Sequence, residues 1–308
     1  MSKPLKIAVT GATGFIGIHL MEALNDKAYS IVGLSRKNHD STQDNLIWKT
    51  GDITDKTSIK GMLDGVDVLI HMAAELKNES KLDEVNHLGT KNILEEAVRA
   101  GVKKIIHLSS VGVYGISFSN KTVKVDESCA CHPKIPYEVT KLKAEQIAKE
   151  ICANNNIPLV ILRPTNVYGE HHPRKILLSL MSRISRSPLF FLSKKSMVNY
   201  LYIKDLTYVI KESLQKEITG EFNIGHPIAL SEFVKIIARK SSNNIRLINV
   251  PSFVFTFLGS IGISKFKALS NQVEYSDDKI RKTLEMPYGP IRGIEKTYNY
   301  YKREVFDK

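Results

Sequence analysis

The sequence is poor in several features that define whole classes of protein. Three cysteines in 308 residues are too few, and odd in number, for a disulfide framework, and they fit a reducing compartment. No second Cys/His cluster lies near Cys129, Cys131 and His132 in "ESCACHP", so no metal site is expected. Neither a repeat nor a Gly/Ser- or Pro-rich linker marks a boundary. The longest nearly uncharged apolar run, "VPSFVFTFLGSIGIS", is interrupted by Gly, Ser and Pro and falls short of the roughly 20 residues that span a bilayer. It is expected to pack inside a small domain rather than to meet a membrane. The opening "MSKPLKIAVTG" enters a strand-like run at once, which is not the pattern of a signal peptide, and a cytoplasmic location is expected.

Acid is also missing locally. Between residues 171 and 204 there is no Asp or Glu, while Arg174, Lys175, Arg183, Arg186, Lys194, Lys195 and Lys204 all fall there and supply +7 of the net +12. Such a window is either a solvated basic face or an electrostatic trap for phosphate groups. The adjacent His171 and His172 read as loop residues rather than ligands.

What is present is an ordinary globular composition, 43% hydrophobic and 25% charged. In the first half, short Val/Ile-rich runs alternate with helix-compatible segments. "LKIAV", "YSIVGL", "VDVLIHMA", "VKKIIHLSS" and "IPLVILRP" read as strands; "HLMEALND", "NHLGTKNILEEAVRAG" and "YEVTKLKAEQIAKEICANNN" read as helices. The alternation predicts an α/β protein: a Rossmann-type, doubly wound parallel sheet of about seven strands. The expected division is a dinucleotide-binding domain over 1–165, with a return strand within 199–225. A smaller C-terminal substrate-binding subdomain is expected over 166–198 and 226–308.

"VTGATGFIG" places Gly11, Gly14 and Gly17 directly after the first strand and at the mouth of the first helix. Glycine there allows a tight turn and lets a pyrophosphate approach the helix N-terminus, where amides and the helix dipole favour anions. The position after a strand and before a helix, inside a βαβ unit, is the context the motif requires.

The TGxxGxxG spacing resembles the extended branch of the short-chain dehydrogenase/reductase superfamily, the NAD-dependent epimerase/dehydratase-like family of nucleotide-sugar enzymes. The likeness runs from about residue 5 to 225. After the glycine loop, five further blocks occur in the family's order: "GDIT", "HMAAE", "VNHLGTKNILEEA" with Asn86, "LSSVGVYG" and "RPTNVYG". The resemblance implies cofactor contacts from Gly11, Thr13, Gly14, Phe15, Ile16 and Gly17. It further implies Asp52 and Ile53 at the adenine, Ala73 and Ala74 close to the cofactor, and contributions from Ser109, Tyr137, Lys141 and Pro164.

The second strand should end near the adenosine ribose. Ser35, Arg36 and Lys37 stand there, and the first acid is Asp40. Arg36 would welcome a 2′-phosphate, so NADP is expected in preference to NAD.

Tyrosine followed at i+4 by lysine occurs four times, at Tyr137–Lys141, Tyr200–Lys204, Tyr275–Lys279 and Tyr298–Lys302. On a helix the two residues share a face, and a neighbouring ammonium lowers a phenol's pKa, ordinarily about 10, toward a useful range. Only Tyr137 lies one loop after the fifth strand and at the head of a helix. Ser110, four residues before Tyr114, is at the position where the family holds the substrate oxygen. Ser110, Tyr137 and Lys141 are therefore the expected catalytic set. Dehydratases of this family carry an Asp-Glu pair just after that hydroxyl; here Val111 and Gly112 replace it.

The resemblance thus implies hydride transfer at C4 of a nucleoside-diphosphate sugar, as 4-epimerisation or 4-keto reduction, without dehydration. Asn166, Arg174 and Lys175 are the expected substrate contacts beside Ser110. A reductase or dehydrogenase of a non-sugar ketone or alcohol, similar to dihydroflavonol reductases and 3β-hydroxysteroid dehydrogenases, is the alternative. A non-catalytic dinucleotide sensor or nucleic-acid binder fits less well, because the Ser–Tyr–Lys set is complete and no aromatic-rich basic reader appears. A homodimer through the two long helices is expected.

Overall fold

The computed structural model describes residues 3–41, 43–173, 176–260 and 264–303. The elements follow in chain order as β1 (Leu5–Thr10), α1 (Phe15–Ala23), β2 (Tyr29–Ser35), β3 (Leu46–Thr50), α2 (Lys56–Ile59), β4 (Val68–His71), α3 (Gly89–Arg99) and β5 (Lys104–Leu108). β6 (Val123–Val125), α4 (Pro136–Asn154), β7 (Leu159–Pro164), β8 (Asn166–Tyr168), α5 (Ile176–Arg186), β9 (Leu189–Leu192), β10 (Met197–Tyr202) and α6 (Ile203–Gln215) come next. The chain continues through β11 (Gly220–Ile224), β12 (His226–Ala229), α7 (Leu230–Lys240), β13 (Arg246–Asn249), α8 (Ser252–Ser260), β14 (Val273–Tyr275), α9 (Asp278–Arg281) and α10 (Gly289–Tyr301).

Two compact units divide the chain. The first comprises 1–115, 130–163 and 207–222; the second comprises 116–129, 164–206 and 223–308. Segment 116–129, read from sequence with the first region, counts with the second because β6 pairs with β14. Similarly, β10 lies in a small sheet with β8 and β12, so within 199–225 only β11 joins the main sheet.

The first unit is built on the seven-stranded sheet, ordered β11-β7-β5-β4-β1-β2-β3. The strand order reverses between β1 and β4, the switch point at which such sheets bind ligands. Ile7, Ala8 and Val9 of β1, and Leu69 and Ile70 of β4, are fully buried, as expected of central strands covered on both faces. One flank of the core joins Ala8, Ile53, Leu63, Leu69, Ile93 and Ile105; each buried Leu or Ile contributes on the order of 2 kcal/mol. β3, absent from the sequence reading, is an edge strand, and its outward Ile47 breaks the apolar signature.

In the same unit Arg163, at the end of β7, forms a bidentate pair with Glu145 of α4, 2.9 Å from Nε to Oε1 and 2.6 Å from Nη2 to Oε2. Its Nη1 donates to the Tyr114 hydroxyl at 2.8 Å. Burial opposes the Arg163 charge, but the Glu145 carboxylate overcomes it and raises the pKa above the ordinary value.

The second unit contains the β12-β10-β8 sheet and the pairs β9–β13 and β6–β14. Its centre holds buried His226, with Nε2 2.9 Å from Asp205 and Nδ1 2.7 Å from Arg281. The apolar run near 251–263 does not pack as a whole. On α8, Phe255 faces inward, whereas Phe253 and Phe257 face solvent; residues 261–263 lie outside the described set. No helix among the described residues is long and apolar enough to cross a membrane.

Breaking the buried Arg163–Glu145 pair from one side strands a charge. Glu145→Ala should lower the unfolding free energy by roughly 3–5 kcal/mol in urea titrations. A Glu145→Met/Arg163→Met double variant should recover part of that loss.

Candidate active site

The glycine loop fits a diphosphate on steric grounds. Gly11 adopts φ +71°, and a Cβ there would lie 2.8 Å from the Ala73 amide nitrogen. One on Gly17 would lie 2.3 Å from the Gly11 carbonyl oxygen. Side chains at these positions would push the loop away from the end of β4 and away from the helix. α1 begins after Gly14 with no side-chain cap and no acid in its first turn. The amides of Phe15, Ile16 and Gly17 therefore present partial positive charge to an anion. Thr13 is exposed beside them.

At the end of β2, the Ser35 hydroxyl bonds His39 Nε2 at 2.9 Å, and Arg36 and Lys37 are exposed. The Glu75 carboxyl is held below its ordinary range by the Lys77 and Asn78 amides and, more weakly, by the Arg36 charge. Asp52 Oδ1 accepts from the amide and hydroxyl of Thr54, both at 2.9 Å. Ile53 is buried with its side chain against Gly89.

A buried hydrogen-bond thread runs from the glycine loop to α4, and sequence reasoning found only one of its members, Asn86. The Thr10 hydroxyl accepts from the amides of Met72 and Ala73 at 3.1 Å. With both lone pairs used, its hydrogen goes to His71 Nδ1, 2.7 Å away. His71 is then the neutral Nε2–H tautomer and donates to Thr90 Oγ1 at 2.9 Å. Thr90 donates to the Asn86 carbonyl at 2.6 Å. Asn86 sits in a π-helical turn, Asp83–Leu88, that leads into α3. Its side chain accepts from the Glu75 amide and donates to the Glu75 carbonyl and to Thr140 Oγ1. Thr140 in turn donates to the Tyr137 carbonyl at 3.0 Å.

Burial, helped by the Lys141 charge, pushes the His71 pKa down to about 3, so the ring stays neutral. His107 stacks on it at 5.3 Å and is held well below its ordinary pKa by the same causes.

The expected catalytic residues lie on two segments, Ser110 in the turn after β5 and Tyr137 and Lys141 on α4. Ser110 is the extended residue that caps a 3-10 turn over Val111–Tyr114, its Oγ accepting from the Gly112 amide at 3.1 Å. Ser109 is buried. α4 opens at Pro136, and Glu138 closes its first turn by accepting from the amides of Lys134 and Ile135. Tyr137 is half-buried, whereas Lys141 is 2% exposed. Lys141 Nζ donates to the Leu108 carbonyl at 2.7 Å, which ties the ammonium to the end of the strand that leads to Ser110. Desolvation brings its pKa down to about 8, against the pull of Glu145 one turn further on.

The other Tyr–Lys pairs separate. Tyr200 is in β10 and Lys204 in α6; Tyr275 is in β14 and Lys279 in α9; Tyr298 is buried on α10 with Lys302 just past its end. Only Tyr137 and Lys141 lie together inside one helix.

Asn166 opens β8 in the second unit, exposed, with Nδ2 3.4 Å from the Asn199 carbonyl. Pro164 is buried at the end of β7. Arg174 and Lys175 lie outside the described residues.

The family model of the NAD dependent epimerase/dehydratase family matches residues 7–225. The chain is 28% identical over 276 residues to a UDP-glucose 4-epimerase of Vibrio cholerae, covering 84% of this chain and 82% of the relative. It is also 28% identical over 324 residues to a dTDP-D-glucose 4,6-dehydratase of Mus musculus, covering 97% and 89%. Among solved structures, UDP-glucuronic acid 4-epimerase from Bacillus cereus in complex with NAD superposes with a TM-score of 0.72 at 25% identity, covering 97% of this chain and 99% of that one.

The Lys141 environment has a pH signature. An unfolded lysine keeps its proton up to about 10.5, whereas the folded one releases it near 8. Between those values the unfolded state binds more protons, so raising the pH favours folding; below 8 both states carry the proton and the full desolvation cost applies. Relative to a Lys141→Met variant, the parent should therefore gain stability by about 1 kcal/mol per pH unit over that window. Denaturant unfolding of both proteins between pH about 7 and about 10 would measure it, and a gap that widens in favour of methionine would refute the assignment.

Proposed function

The chain belongs to the NAD dependent epimerase/dehydratase family, and from that premise we propose that it epimerises a nucleoside-diphosphate sugar at C4, using NAD. The observation that supports the reading is the Lys141–Leu108 bond, which joins the helix carrying Tyr137 and Lys141 to the strand that leads to Ser110. Bound at the glycine loop, the dinucleotide would supply a reversible hydride acceptor.

Tyr137 takes the proton from the C4 hydroxyl and returns it after the sugar turns over. Lys141, a helical turn away, favours the phenolate through its positive charge. Ser110 Oγ holds the same substrate oxygen and fixes its distance from Tyr137. The relatives support the substrate class, since their names are those of UDP- and dTDP-sugar enzymes that differ in the nucleotide or in the sugar.

Dehydration is not part of the proposal, although the mouse relative is named for it. A Cβ on Gly112 would lie 3.1 Å from Glu138 Cγ and 3.3 Å from Ser110 Oγ. An acidic side chain there would crowd the carboxylate that caps α4, and Val111 offers no proton. These contacts favour epimerisation, which needs no third acid–base group, over elimination of water.

The cofactor reading moves from NADP, expected from Arg36, to NAD. The similar Bacillus structure is a complex with NAD. We further read the working form as a cytoplasmic homodimer assembled through α3 and α4; the exposed Leu88 and Val139 at those helices support it.

Purified protein with a panel of UDP- and dTDP-sugars and NAD should interconvert one C4 epimer pair. Tyr137→Phe should lower turnover by about 10²–10⁴-fold while dinucleotide binding is kept. Full turnover in that variant would sink the mechanism.

A further inference from the structure

The net charge is not spread over the molecule. Residues 171–204 and 233–273 together hold 13 of the 44 Lys and Arg and none of the 32 Asp and Glu. The rest of the chain carries 31 cations, which is 44 less 13, against 32 acids, and so nets −1.

Both stretches belong to the second unit, and its fold joins them. β9 runs parallel to β13, with Leu189 in register with Arg246 and Phe191 with Ile248. Asn243 Nδ2 donates to the carbonyls of Ile184 and Ser187, each at 2.8 Å. The Ser193 and Ser252 hydroxyls bond at 2.6 Å, which ties the turn before β10 to the start of α8.

Large apolar side chains point outward from this region. Phe253 and Phe257, one helical turn apart on α8, are 71% and 64% exposed, while Phe255 between them is 2% exposed and stacks on Phe266. Leu189 and Phe191 protrude from β9 at 43% and 48%. Exposed Lys194 and Lys195 follow Ser193, and the Lys267 stem lies along α8 against Gly259. Arg239 and Lys240 pair with Glu232 and Glu295, but among the described residues Arg183, Lys194, Lys195 and Arg246 form no ion pair.

One substrate diphosphate needs few of these cations, and it makes no use of outward phenyl rings. A second copy would bring the same positive face and be repelled. Nucleic acid would match the charge, but Leu189 cannot stack on a base, and the rings stand on a helix and a strand rather than in a groove. We propose that this face docks on an anionic membrane surface, with the α8 and β9 rings entering the headgroup–acyl boundary and the lysines and arginines meeting acidic headgroups.

The full chain would be sedimented with vesicles of phosphatidylcholine alone and with vesicles containing about 30% phosphatidylglycerol. Binding is expected only to the anionic vesicles and should weaken with added salt. A Phe253→Ser/Phe257→Ser variant, with an unchanged melting temperature, should lose about tenfold or more of the partitioning. Lys194→Glu/Lys195→Glu should lose on the order of tenfold or more. The proposal is overturned by absence of binding to anionic vesicles, or by binding that survives both double substitutions. It is equally overturned by tighter capture of a mixed-sequence RNA or DNA oligonucleotide, or by a phenylalanine variant that changes the oligomer's mass instead of its vesicle binding.

Discussion

A buried polar group must find a partner, and Asn86 satisfies that rule for three elements at once. Its amide closes on both backbone groups of Glu75, reaches Thr140 on α4, and its carbonyl receives Thr90. Through Thr90 and His71 the same set continues to Thr10, the last residue before the glycine loop. In an interior of low dielectric each such bond is strong and each unmade one costly. The glycine loop and the helix that carries Tyr137 are therefore held in an arrangement that satisfies every member of the set. The Arg163–Glu145–Tyr114 lock acts from the other side, tying the turn after Ser110 to the same helix.

Much of this was legible in the sequence because it is periodic or punctuated. Val/Ile runs bounded by turns gave five strands of the main sheet and its return strand, and glycines gave the loop at the switch point. β3 was missed because an edge strand with an outward isoleucine does not read as buried. The members of the polar thread were missed for a different reason. Thr10 and His71 are single polar residues closing apolar runs, Thr90 and Thr140 sit among other polar residues, and nothing local says that the four meet. One signal existed: His71 and His107 close β4 and β5 at equivalent positions, which a parallel pairing sets side by side. The NADP expectation rested on Ser35, Arg36 and Lys37 and on the lack of an acid before Asp40, a signal local to the end of β2.

Charge shows the same limit. The acid-free window after residue 170 is visible in one dimension, but its second half begins some thirty residues after the first ends. Only the β9–β13 pairing brings the two stretches side by side. The apolar run of α8 was read as core because hydropathy has no direction; a helix packed on one face turns the alternate phenylalanines outward.

The polar thread also has a direction. Thr10 receives two amide hydrogens and so must donate onward, Thr90 inherits that sense through His71, and Thr140 takes the same sense afresh from the Asn86 side-chain amide. The last bond ends on the carbonyl of Tyr137, not on its phenol. A carbonyl oxygen has no proton to pass on, so the thread works as a brace and not as a proton wire. Under the proposed mechanism, any proton that Tyr137 exchanges therefore travels by a route other than this thread.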